Sequence, residues 1–492
     1  MKSDNKNTSE NELSLDPADW NEFSKQCHKS LDDLIAYQKT VRSRPVWSTL
    51  PRESKSLFKE NLPRKSMPLK KVYDQVKKHI LPYPTNNIHP RFWSWVGGTG
   101  TATQLLADMV ISSMNSASLG MDEASSSYVE LQLLDWLKEM LDYPKSASGL
   151  LVSGGSMANL VGLAVARTEA ANYNVRDEGI NTNNQPRLIF YTSTETHSSI
   201  KKAIELLGIG AQSLRLINAN DDYTININSL KKSIELDRLN GNKPACIIAN
   251  VGTVNTGAID PLLELASISK KNNIWLHADG AFGALVKLSE SSKDLVNGLE
   301  KADSIAFDLH KWMYVQYDCG CVLIKGDKPH KETFSVIPHY IKKFEKGLAS
   351  GPLNFSEYGV ELSRSFRALR PWMALKTEGS NRYGKQIEQN IQQAKYLTNL
   401  IQKEPNLQLL APTSLNIVNF RYLAPKIDNK NLNELNTQIL MDLHESGVAA
   451  PSSALLNKNF SIRVAICNHR SKKEDFDLLI DKIIEIGNNL ST

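Results

Sequence analysis

The chain has 492 residues, of which 41% are hydrophobic and 23% charged, close to the average for globular proteins. Its formal net charge of +5 is small for this length, and there is no basic run or basic stripe with interleaved aromatic residues, so no nucleic-acid partner is expected. The sequence contains no run of 18 or more apolar residues, and its polar N-terminus lacks the apolar stretch of a signal peptide. We therefore predict a cytoplasmic protein of two or three domains with no membrane partner.

The five cysteines are odd in number and irregularly spaced, so a disulfide framework is not expected. Cys319 and Cys321 lie two residues apart in a strand-like run, where both side chains point to the same face. We interpret both as buried thiols rather than metal ligands.

The first hundred residues predict an open helical segment. Residues 1 to about 15 have the polar composition of a disordered tail. Asp16-Pro17 predicts a helix start, and apolar residues at helical spacing continue to about Thr40. A second helix is predicted from about Leu69 to Ile80. Because this segment is too open to bury its own apolar faces, we expect residues 1–100 to clasp a second subunit.

The following residues, 101–377, alternate between short apolar strands and helices. This alternation predicts a large α/β domain with a mostly parallel sheet covered by helices on both faces. Ligands of such sheets bind beyond the carboxyl ends of the strands. Residues 378–492 predict a separate, smaller α+β domain. The strands predicted in the large domain include Leu188–Tyr191, Ile247–Val251, Ile274–Ala278, Ser304–Phe307 and Cys319–Ile324.

Two of these strand-like runs lead into an acid and an amine. Asp279 follows one apolar run and Lys311 follows the next, so neighbouring strands of one sheet deliver both groups to the same crevice. Pyridoxal phosphate (PLP) requires this pair, because a Lys forms its Schiff base and a carboxylate keeps its pyridine nitrogen protonated. Gly280 and Ala281 are small enough for the ring to lie close against the chain. The alternatives are a helix-capping Asp and a surface Lys.

A glycine-containing turn supplies a candidate phosphate site. Gly154, Gly155, Ser156 and Met157 follow the apolar run Leu150–Val152 and open a helix. Backbone N–H groups at such a turn, with the helix N-terminus behind them, favour an anion. The alternative is an ordinary turn capped by a serine.

Three further side chains are candidates for the same site. His197 precedes another helix, where it is either a cap or, in a PLP site, a flat ring that stacks on the pyridine and contacts the substrate carboxylate. His310 and Asp308 flank Lys311. We expect His310 to donate to the phosphate or to the substrate carboxylate. Because the negative charge of Asp308 would repel a phosphate, we expect its backbone N–H to serve instead.

These motifs resemble those of the group II PLP-dependent amino-acid decarboxylases, and most closely the bacterial type of the aromatic-L-amino-acid and tyrosine decarboxylases. The resemblance is carried by Leu276–Ala281 (LHADGA) and Asp308–Trp312 (DLHKW), and it extends from about Ile88 to Arg470. It implies the aspartate-aminotransferase-like fold type I of PLP-dependent transferases. It also implies a homodimer with shared active sites and decarboxylation of an L-amino acid to an amine and CO₂.

The resemblance assigns roles by motif. It makes Lys311 the Schiff-base lysine, Asp279 the pyridinium partner and His197 the stacking residue, with the turn 154–157 and Asp308 where the family binds phosphate. Tyr340 matches a loop tyrosine that protonates the substrate carbon after CO₂ has left. Relatives with Phe at that position tend to release an aldehyde, so Tyr340 favours simple decarboxylation, and its alternative is an ordinary loop tyrosine.

Some positions depart from the family pattern. Leu309 stands where many relatives have Pro, and Asp308 stands where aromatic-type members often have Asn. Val254 replaces a Thr placed near the 3′ oxygen of the cofactor, which leaves Thr253 as the candidate for that contact. The run Gly97–Gly100 replaces a bulkier pocket segment.

The substrate is left open by the sequence. Trp93 and Trp95 are candidates to line an aromatic pocket, and core packing is an equal alternative. No Arg or Lys cluster suggests a site for a side-chain carboxylate, which favours an aromatic amino acid over glutamate. The other hypotheses are a decarboxylase of glutamate, histidine or 2,4-diaminobutyrate, an aldehyde-forming synthase, and a non-catalytic PLP-binding protein. The complete set of Lys311, Asp279, His197 and Tyr340 argues against the last.

Overall fold

The computed structural model describes residues 13–180, 185–336, 344–425 and 428–491. The chain separates into two compact units, one formed by Met1–Arg44 with Leu50–Pro84 and the other by Pro45–Thr49 with Thr85–Thr492. The division into 1–100, 101–377 and 378–492 stays a prediction.

The first unit consists of helices α1 (Trp20–Lys39), α2 (Arg52–Leu57) and α3 (Leu69–His79). Helix α1 begins later than the sequence predicts, because its cap is Asp19 rather than Asp16. The side chain of Asp19 accepts hydrogen bonds from the N–H groups of Asn21 and Glu22, whereas Asp16 is bonded to Ser14. Every residue of α1 is at least partly exposed, so this helix contributes no buried side chain to a core of its own.

The strands of the second unit form two sheets. Within the described residues, the strands are β1 (Phe92–Trp93), β2 (Ser148–Val152), β3 (Leu188–Ser193), β4 (Leu214–Ile217), β5 (Lys243–Asn250), β6 (Trp275–Asp279), β7 (Ser304–Asp308), β8 (Gly320–Ile324), β9 (Leu407–Leu409), β10 (Ile417–Tyr422), β11 (Ala450–Leu456) and β12 (Asn459–Ala465).

Helices cover these sheets. Those of the second unit are α4 (Gln104–Met114), α5 (Ser125–Met140), α6 (Gly155–Ala170), α7 (Val175–Glu178), α8 (Ser198–Leu206), α9 (Ile227–Leu239), α10 (Leu262–Asn272), α11 (Leu309–Trp312), α12 (Asp327–Phe334), α13 (Leu369–Glu378), α14 (Ser380–Lys403), α15 (Asn429–Glu445) and α16 (Lys473–Ser491). In the described parts of the chain, no helix is long and apolar enough to cross a membrane.

The larger sheet confirms the predicted mostly parallel arrangement. Among the described residues it has seven strands in the order β2-β8-β7-β6-β5-β3-β4. Strand β8 runs antiparallel to both of its neighbours, whereas β7, β6, β5, β3 and β4 are parallel to one another. Strand β2 therefore points the same way as β7. The carboxyl ends of β2, β6 and β7 consequently meet at one edge, where ligands of such sheets bind.

The smaller sheet includes a strand from far away in the sequence. Its order in the described structure is β1-β11-β12-β10-β9, and β1 pairs in parallel with the start of β11. Trp93 in β1 is fully buried, stacks on Phe476 at 4.8 Å and donates from Nε1 to Ser471 Oγ at 3.1 Å. Trp93 is thus a core residue of this sheet rather than a pocket residue. Strands β1, β4 and β11 were not among the predicted strands.

The cysteines match the sequence prediction. All five are free thiols, and Cys246, Cys319, Cys321 and Cys467 are buried. Cys319 and Cys321 lie in the main hydrophobic core, so both act as small apolar side chains.

Candidate active site

The three strand ends at one sheet edge surround a cavity of about 550 Å³. Asp279 is the last residue of β6, Asp308 is the last residue of β7, and Gly154 follows β2 by two residues. The cavity is lined by Trp95, Val96, Ser153, Gly154, Gly155, Ser156, Met157, Asn159, His197, Ser199, Asn250, Gly252, Val254, Asp279, Ala281, Phe282, Asp308, His310, Lys311 and Arg463. The sheet topology thus brings together groups that are up to 368 residues apart in the chain, from Trp95 to Arg463.

Lys311 is paired with the acid that ends β7. Its Nζ lies 3.0 Å from Asp308 Oδ2, and its side chain is 22% exposed. Burial lowers the pKa of Lys311, but the charge and hydrogen bond of Asp308, together with the charge of Asp279, outweigh burial and leave the pKa above its usual value. Before a cofactor arrives, Lys311 is therefore held as an ammonium ion.

Asp308 also packs directly under the glycine turn. A Cβ atom on Gly155 would lie 2.9 Å from Asp308 Oδ2, and one on Gly154 would lie 3.2 Å from His310 Cε1. Larger residues at these two positions would push the turn away from β7. The Oδ1 atom of Asp308 is buried and has no hydrogen-bond partner among the described residues. A buried acceptor without a partner is costly, so this corner fits a ligand that supplies a donor.

The backbone of Asp308 does not play the predicted role. Its N–H donates to the carbonyl oxygen of Ala281 at 2.9 Å, so it is not available to a phosphate. The first turn of α6 remains as the source of N–H groups, because the first residues of a helix have no partner within it. The exposed side chain of Ser156 lies at the same turn.

His310 lies beside this turn with one ring nitrogen engaged. Its Nδ1 contacts the backbone of Cys319, at 3.0 Å from the oxygen and 3.2 Å from the nitrogen. Its ring packs against Tyr317 at 4.5 Å. Nε2 lies 3.7 Å from Asp308 Oδ2, which is longer than a hydrogen bond. Burial lowers the pKa of His310, so the ring is neutral at pH 7 and has Nε2 left for a ligand.

Asp279 is held by neutral donors. Its Oδ2 accepts from Asn159 Nδ2 at 3.0 Å and its Oδ1 accepts from the N–H of Ala281 at 3.2 Å. Burial raises the pKa of Asp279, while the charge of Lys311 and these two hydrogen bonds oppose the rise. A cationic ring nitrogen beside this carboxylate would add to the groups that favour its ionised form.

His197 caps α8 and also borders the cavity. Its Nδ1 accepts from the N–H of Ser199 at 3.2 Å and lies 2.8 Å from Ser199 Oγ. Burial lowers the pKa of His197, so the ring is neutral at pH 7, and its single proton belongs on Nε2. The sequence left two alternatives for His197, a helix cap and a ring that faces the ligand. In the structure His197 caps α8 and also lines the cavity, so one residue can serve as both.

Most of the predicted residues share this cavity. Thr253 is not among the residues that line it, because its buried hydroxyl is bonded to Thr256 Oγ1 at 2.8 Å and accepts from the N–H of Ala258. Tyr340 lies outside the described residues. The predicted residues that line the cavity are Gly154, Gly155, Ser156, Met157, His197, Asp279, Ala281, Asp308, His310 and Lys311.

Sequence reasoning missed several residues of the cavity, notably Asn159, Ser199, Asn250 and Arg463. Asn159 lies in the motif that follows β2, four residues after Gly155, so the helical spacing was a usable signal. Arg463 donates to the carbonyl oxygens of Val254 and Asn255 and to Ser452 Oγ. Burial lowers its pKa to about 10.

The comparison with known families identifies the chain. Residues 51–423 match the family described as the pyridoxal-dependent decarboxylase conserved domain. The chain belongs to this family. Its cofactor is therefore PLP, it is a carboxy-lyase, and the resemblance noted in the sequence is confirmed. The cavity fits the cofactor, since it offers a lysine, a buried carboxylate, a glycine turn that a Cβ would fill, and the unpaired oxygen of Asp308.

Relatives and solved structures match along almost the whole chain. The aromatic-L-amino-acid decarboxylase of Bacillus atrophaeus is 33% identical, covering 94% of this chain and 95% of that protein. The phenylacetaldehyde synthase of Arabidopsis thaliana is 27% identical, covering 92% and 93%. The Catharanthus roseus tryptophan decarboxylase, solved in complex with L-tryptophan, is 25% identical with a TM-score of 0.86, covering 97% of this chain and 100% of that chain. These matches confirm the predicted fold type I.

Proposed function

We propose that this enzyme decarboxylates an aromatic L-amino acid to the corresponding amine and CO₂, with its cofactor bound at the cavity between the ends of β2, β6 and β7. The observation that carries the proposal is the juxtaposition of Lys311, Asp279, His197 and the turn 154–157 around one cavity. The carboxylate ends β6, and the lysine lies in α11, three residues after the end of the adjacent parallel strand β7. The cofactor requires both groups.

We assign the residue roles as follows. Lys311 would hold the cofactor covalently through its side-chain amine. Asp279 holds a positive charge on the ring nitrogen, and His197 lies against the ring. The first turn of α6 holds the phosphate. When bound, PLP supplies an electron sink for the bond that breaks at the substrate carbon.

The lining of the cavity supports an aromatic substrate over an acidic one. Trp95, Val96 and Phe282 provide apolar surface, and Trp95 is 63% exposed there. Among the described lining residues, the arginine and lysine side chains are Arg463 and Lys311. The guanidinium of Arg463 is already bonded to two carbonyls and a serine, which leaves it poorly placed to bind a side-chain carboxylate. The relative from Bacillus atrophaeus, named for aromatic L-amino acids, supports the same substrate class.

Tyr340 is our candidate for the acid that protonates the substrate carbon, which would make an amine the product. The second candidate function is an aldehyde-forming synthase, and the similarity to a phenylacetaldehyde synthase favours considering it. The two are distinguished by replacing Tyr340 with Phe. If Tyr340 has this role, the variant makes less amine and, in the presence of O₂, gains aldehyde and ammonia among its products, with the O₂ reduced to hydrogen peroxide.

We further propose a cytoplasmic homodimer in which residues 1–100 clasp the partner subunit. Exposed apolar side chains throughout the first unit support this, because an isolated helical segment of this kind would leave them in water. They include Trp20 at 61%, Phe58 at 55%, Leu62 at 68% and Leu69 at 51% exposure. The free thiol of exposed Cys27 fits a reducing compartment.

The test is product analysis by mass spectrometry. Purified protein loaded with PLP is given a panel of L-amino acids, and Lys311→Ala serves as the blank. Release of CO₂ and an amine from tyrosine, DOPA, tryptophan or phenylalanine, lost in the variant, is the expected result. An amine from glutamate, histidine or diaminobutyrate would keep the decarboxylase and contradict the aromatic assignment. An aldehyde as the main product would favour the synthase.

A further inference from the structure

A chain of hydrogen bonds, buried except at its first link, runs from Trp275 at the amino end of β6 to Asp279 at its carboxyl end. Trp275 Nε1 donates to Ser304 Oγ at 2.8 Å, and Ser304 Oγ lies 2.7 Å from His277 Nδ1. His277 Nε2 lies 2.8 Å from Asn159 Oδ1, and Asn159 Nδ2 donates to Asp279 Oδ2 at 3.0 Å. Ser304, His277 and Asn159 are at most 1% exposed. These side chains come from β6, β7 and α6, so three elements meet in one polar line inside an apolar core.

The hydrogen bonds of this chain all run in one direction, with the donor of each bond on the side of Trp275 and the acceptor on the side of Asp279. The indole N–H of Trp275 donates to Ser304 Oγ, and Asn159 Oδ1 can only accept, so His277 Nε2 is the donor to Asn159 and His277 Nδ1 accepts from Ser304 Oγ. Burial lowers the pKa of His277 to about 3, so the ring carries one proton, and that proton lies on Nε2. Nε2–H then donates to Asn159 Oδ1. This fixes the orientation of the Asn159 amide and directs its N–H group at Asp279.

The amide of Asn159 is also linked to His197, the residue proposed to lie against the cofactor ring. Asn159 Nδ2 donates to Ser199 Oγ at 3.2 Å, and that hydroxyl lies 2.8 Å from His197 Nδ1. Nδ1 of His197 accepts from the backbone N–H of Ser199 and so carries no proton, which makes the Ser199 hydroxyl the donor in this contact. Asn159 therefore connects Asp279 directly, and His197 through Ser199, in one hydrogen-bonded network.

Helix α6 contains a glycine that makes room for this chain. Gly162 lies three residues after Asn159, on the same face of the helix. A Cβ atom at Gly162 would lie 2.7 Å from His277 Cε1 and 3.4 Å from Ser304 Oγ. Glycine weakens a helix interior relative to alanine. Its presence is explained by the imidazole that it admits next to the helix.

We propose that Asn159 and His277 are positioning residues, which act through this one-way chain to present Asp279 as an ionised acceptor to the ring nitrogen of the cofactor. A buried N–H group that donates to the carboxylate of Asp279 stabilises its charged form. Without the chain of hydrogen bonds, burial favours the neutral acid. The inference rests on the proposed function, since it assumes that Asp279 faces the ring nitrogen.

The test compares two cofactors that differ at one ring atom. Dissociation constants are measured for PLP and for the analogue in which carbon replaces the ring nitrogen, using the full-length apoprotein and its variants. The selectivity is the ratio of the two constants. In the wild type we expect PLP to bind about tenfold more tightly than the analogue, or better, because the charged hydrogen bond is made with PLP alone. Asp279→Asn should remove this selectivity.

The positioning variants are His277→Leu and Asn159→Leu, with His277→Gln as the conservative change. Both leucine variants should lose most of the selectivity while binding the analogue as the wild type does. Glutamine can accept at one end and donate at the other, so His277→Gln should retain the selectivity. Ser304→Ala makes a smaller change in the same series of hydrogen bonds and serves if a leucine variant does not fold. It should lose part of the selectivity.

A second buried serine–histidine pair provides the matched control. His330 Nδ1 lies 2.9 Å from Ser148 Oγ, and His330 is fully buried but does not line the cavity. His330→Leu should keep the wild-type selectivity. Unchanged selectivity in the His277, Asn159 and Ser304 variants, with loss in Asp279→Asn, would overturn the positioning role alone. Unchanged selectivity in Asp279→Asn would overturn the role of Asp279 and the inference with it.

Discussion

Two carboxylates end adjacent parallel strands of the same sheet, yet the structure places them in opposite electrostatic settings. Asp279 is 6% exposed and is held by the neutral amide of Asn159 and a backbone N–H. Asp308 is 2% exposed, is 3.0 Å from the ammonium group of Lys311 and has one oxygen without a partner among the described residues. The two acids are thus similarly buried at similar positions in the sheet. Asp308 is already paired with a cation, whereas Asp279 is bonded to neutral donors and can receive one.

The comparison shows why position at a strand end is not enough to assign a role. The immediate partners decide whether a buried carboxylate is already in contact with a cation, as Asp308 is, or is bonded to neutral donors, as Asp279 is.

Asp279→Asn should lower kcat by about 100-fold or more, because the variant cannot stabilise a positive charge on the ring nitrogen as the reaction proceeds. Steady-state kinetics with the best substrate of the panel measures the effect. Asp279→Glu, which keeps the charge, is the matched variant and should recover part of the loss. Equal kcat in Asp279→Asn and the wild type would remove Asp279 from the chemistry.

Gly155→Ala should weaken PLP binding by about tenfold, because its Cβ would lie 2.9 Å from Asp308 Oδ2 and displace the turn from β7. A titration of the apoprotein with PLP gives the dissociation constant. Ser156→Ala changes the next residue without this steric conflict and should have a smaller effect. If both variants bind PLP as the wild type does, the turn 154–157 is not the phosphate site.

Asp308→Asn should move the pH dependence of PLP attachment to lower pH. Attachment needs the free amine of Lys311, so its rate rises as pH rises through the pKa of that lysine. Asp308 raises this pKa by its charge and its hydrogen bond, and without it the lowering by burial is opposed chiefly by the more weakly acting charge of Asp279. The rate of appearance of the Schiff-base absorbance, measured from pH 6 to 9, is the readout. A shift to higher pH in the variant would contradict the pairing of Lys311 with Asp308.

His330→Gln should change stability at acidic pH while leaving the active site untouched. Burial lowers the pKa of His330 from 6.5 to about 4 in the folded protein. The folded state therefore excludes a proton that the unfolded state binds, so stability is lost as pH falls from about 6.5 toward 4. The contribution is at most about 3 kcal/mol. Thermal unfolding from pH 4 to 8 should show a shallower decline in the variant, and an unchanged decline would contradict the account.

The sequence predicts the catalytic edge of the sheet well because its signals are local. An apolar run followed by Asp279 or by Lys311 marks a strand end, and Gly154-Gly155 marks a strand-to-helix turn. These patterns depend on a few neighbouring residues and on the rule that parallel strands share one carboxyl edge. For the same reason the mostly parallel sheet was predicted correctly.

Non-local contacts set the limit of that prediction. Strand β1 has two residues and is stabilised by pairing with Ala450 and Pro451, about 358 positions away. The residues near Phe92 therefore carry no local signal for a strand. The start of α1 at Trp20 depended on which of two nearby aspartates caps the helix. Asn159 follows the glycine turn and His277 lies two residues before Asp279, so both carried a partial signal in the sequence. Their hydrogen bonds to each other and to Ser304 exist only in the folded protein.

The most direct test of the central claim is to locate the cofactor on the chain. The PLP-loaded enzyme is reduced with borohydride, which makes the Schiff base permanent, and its peptides are analysed by mass spectrometry. The structure predicts the pyridoxyl phosphate adduct on Lys311, next to Asp308 and across the cavity edge from Asp279. An adduct on a different lysine, or none in protein that contains PLP, would contradict the assignment of this cavity as the active site.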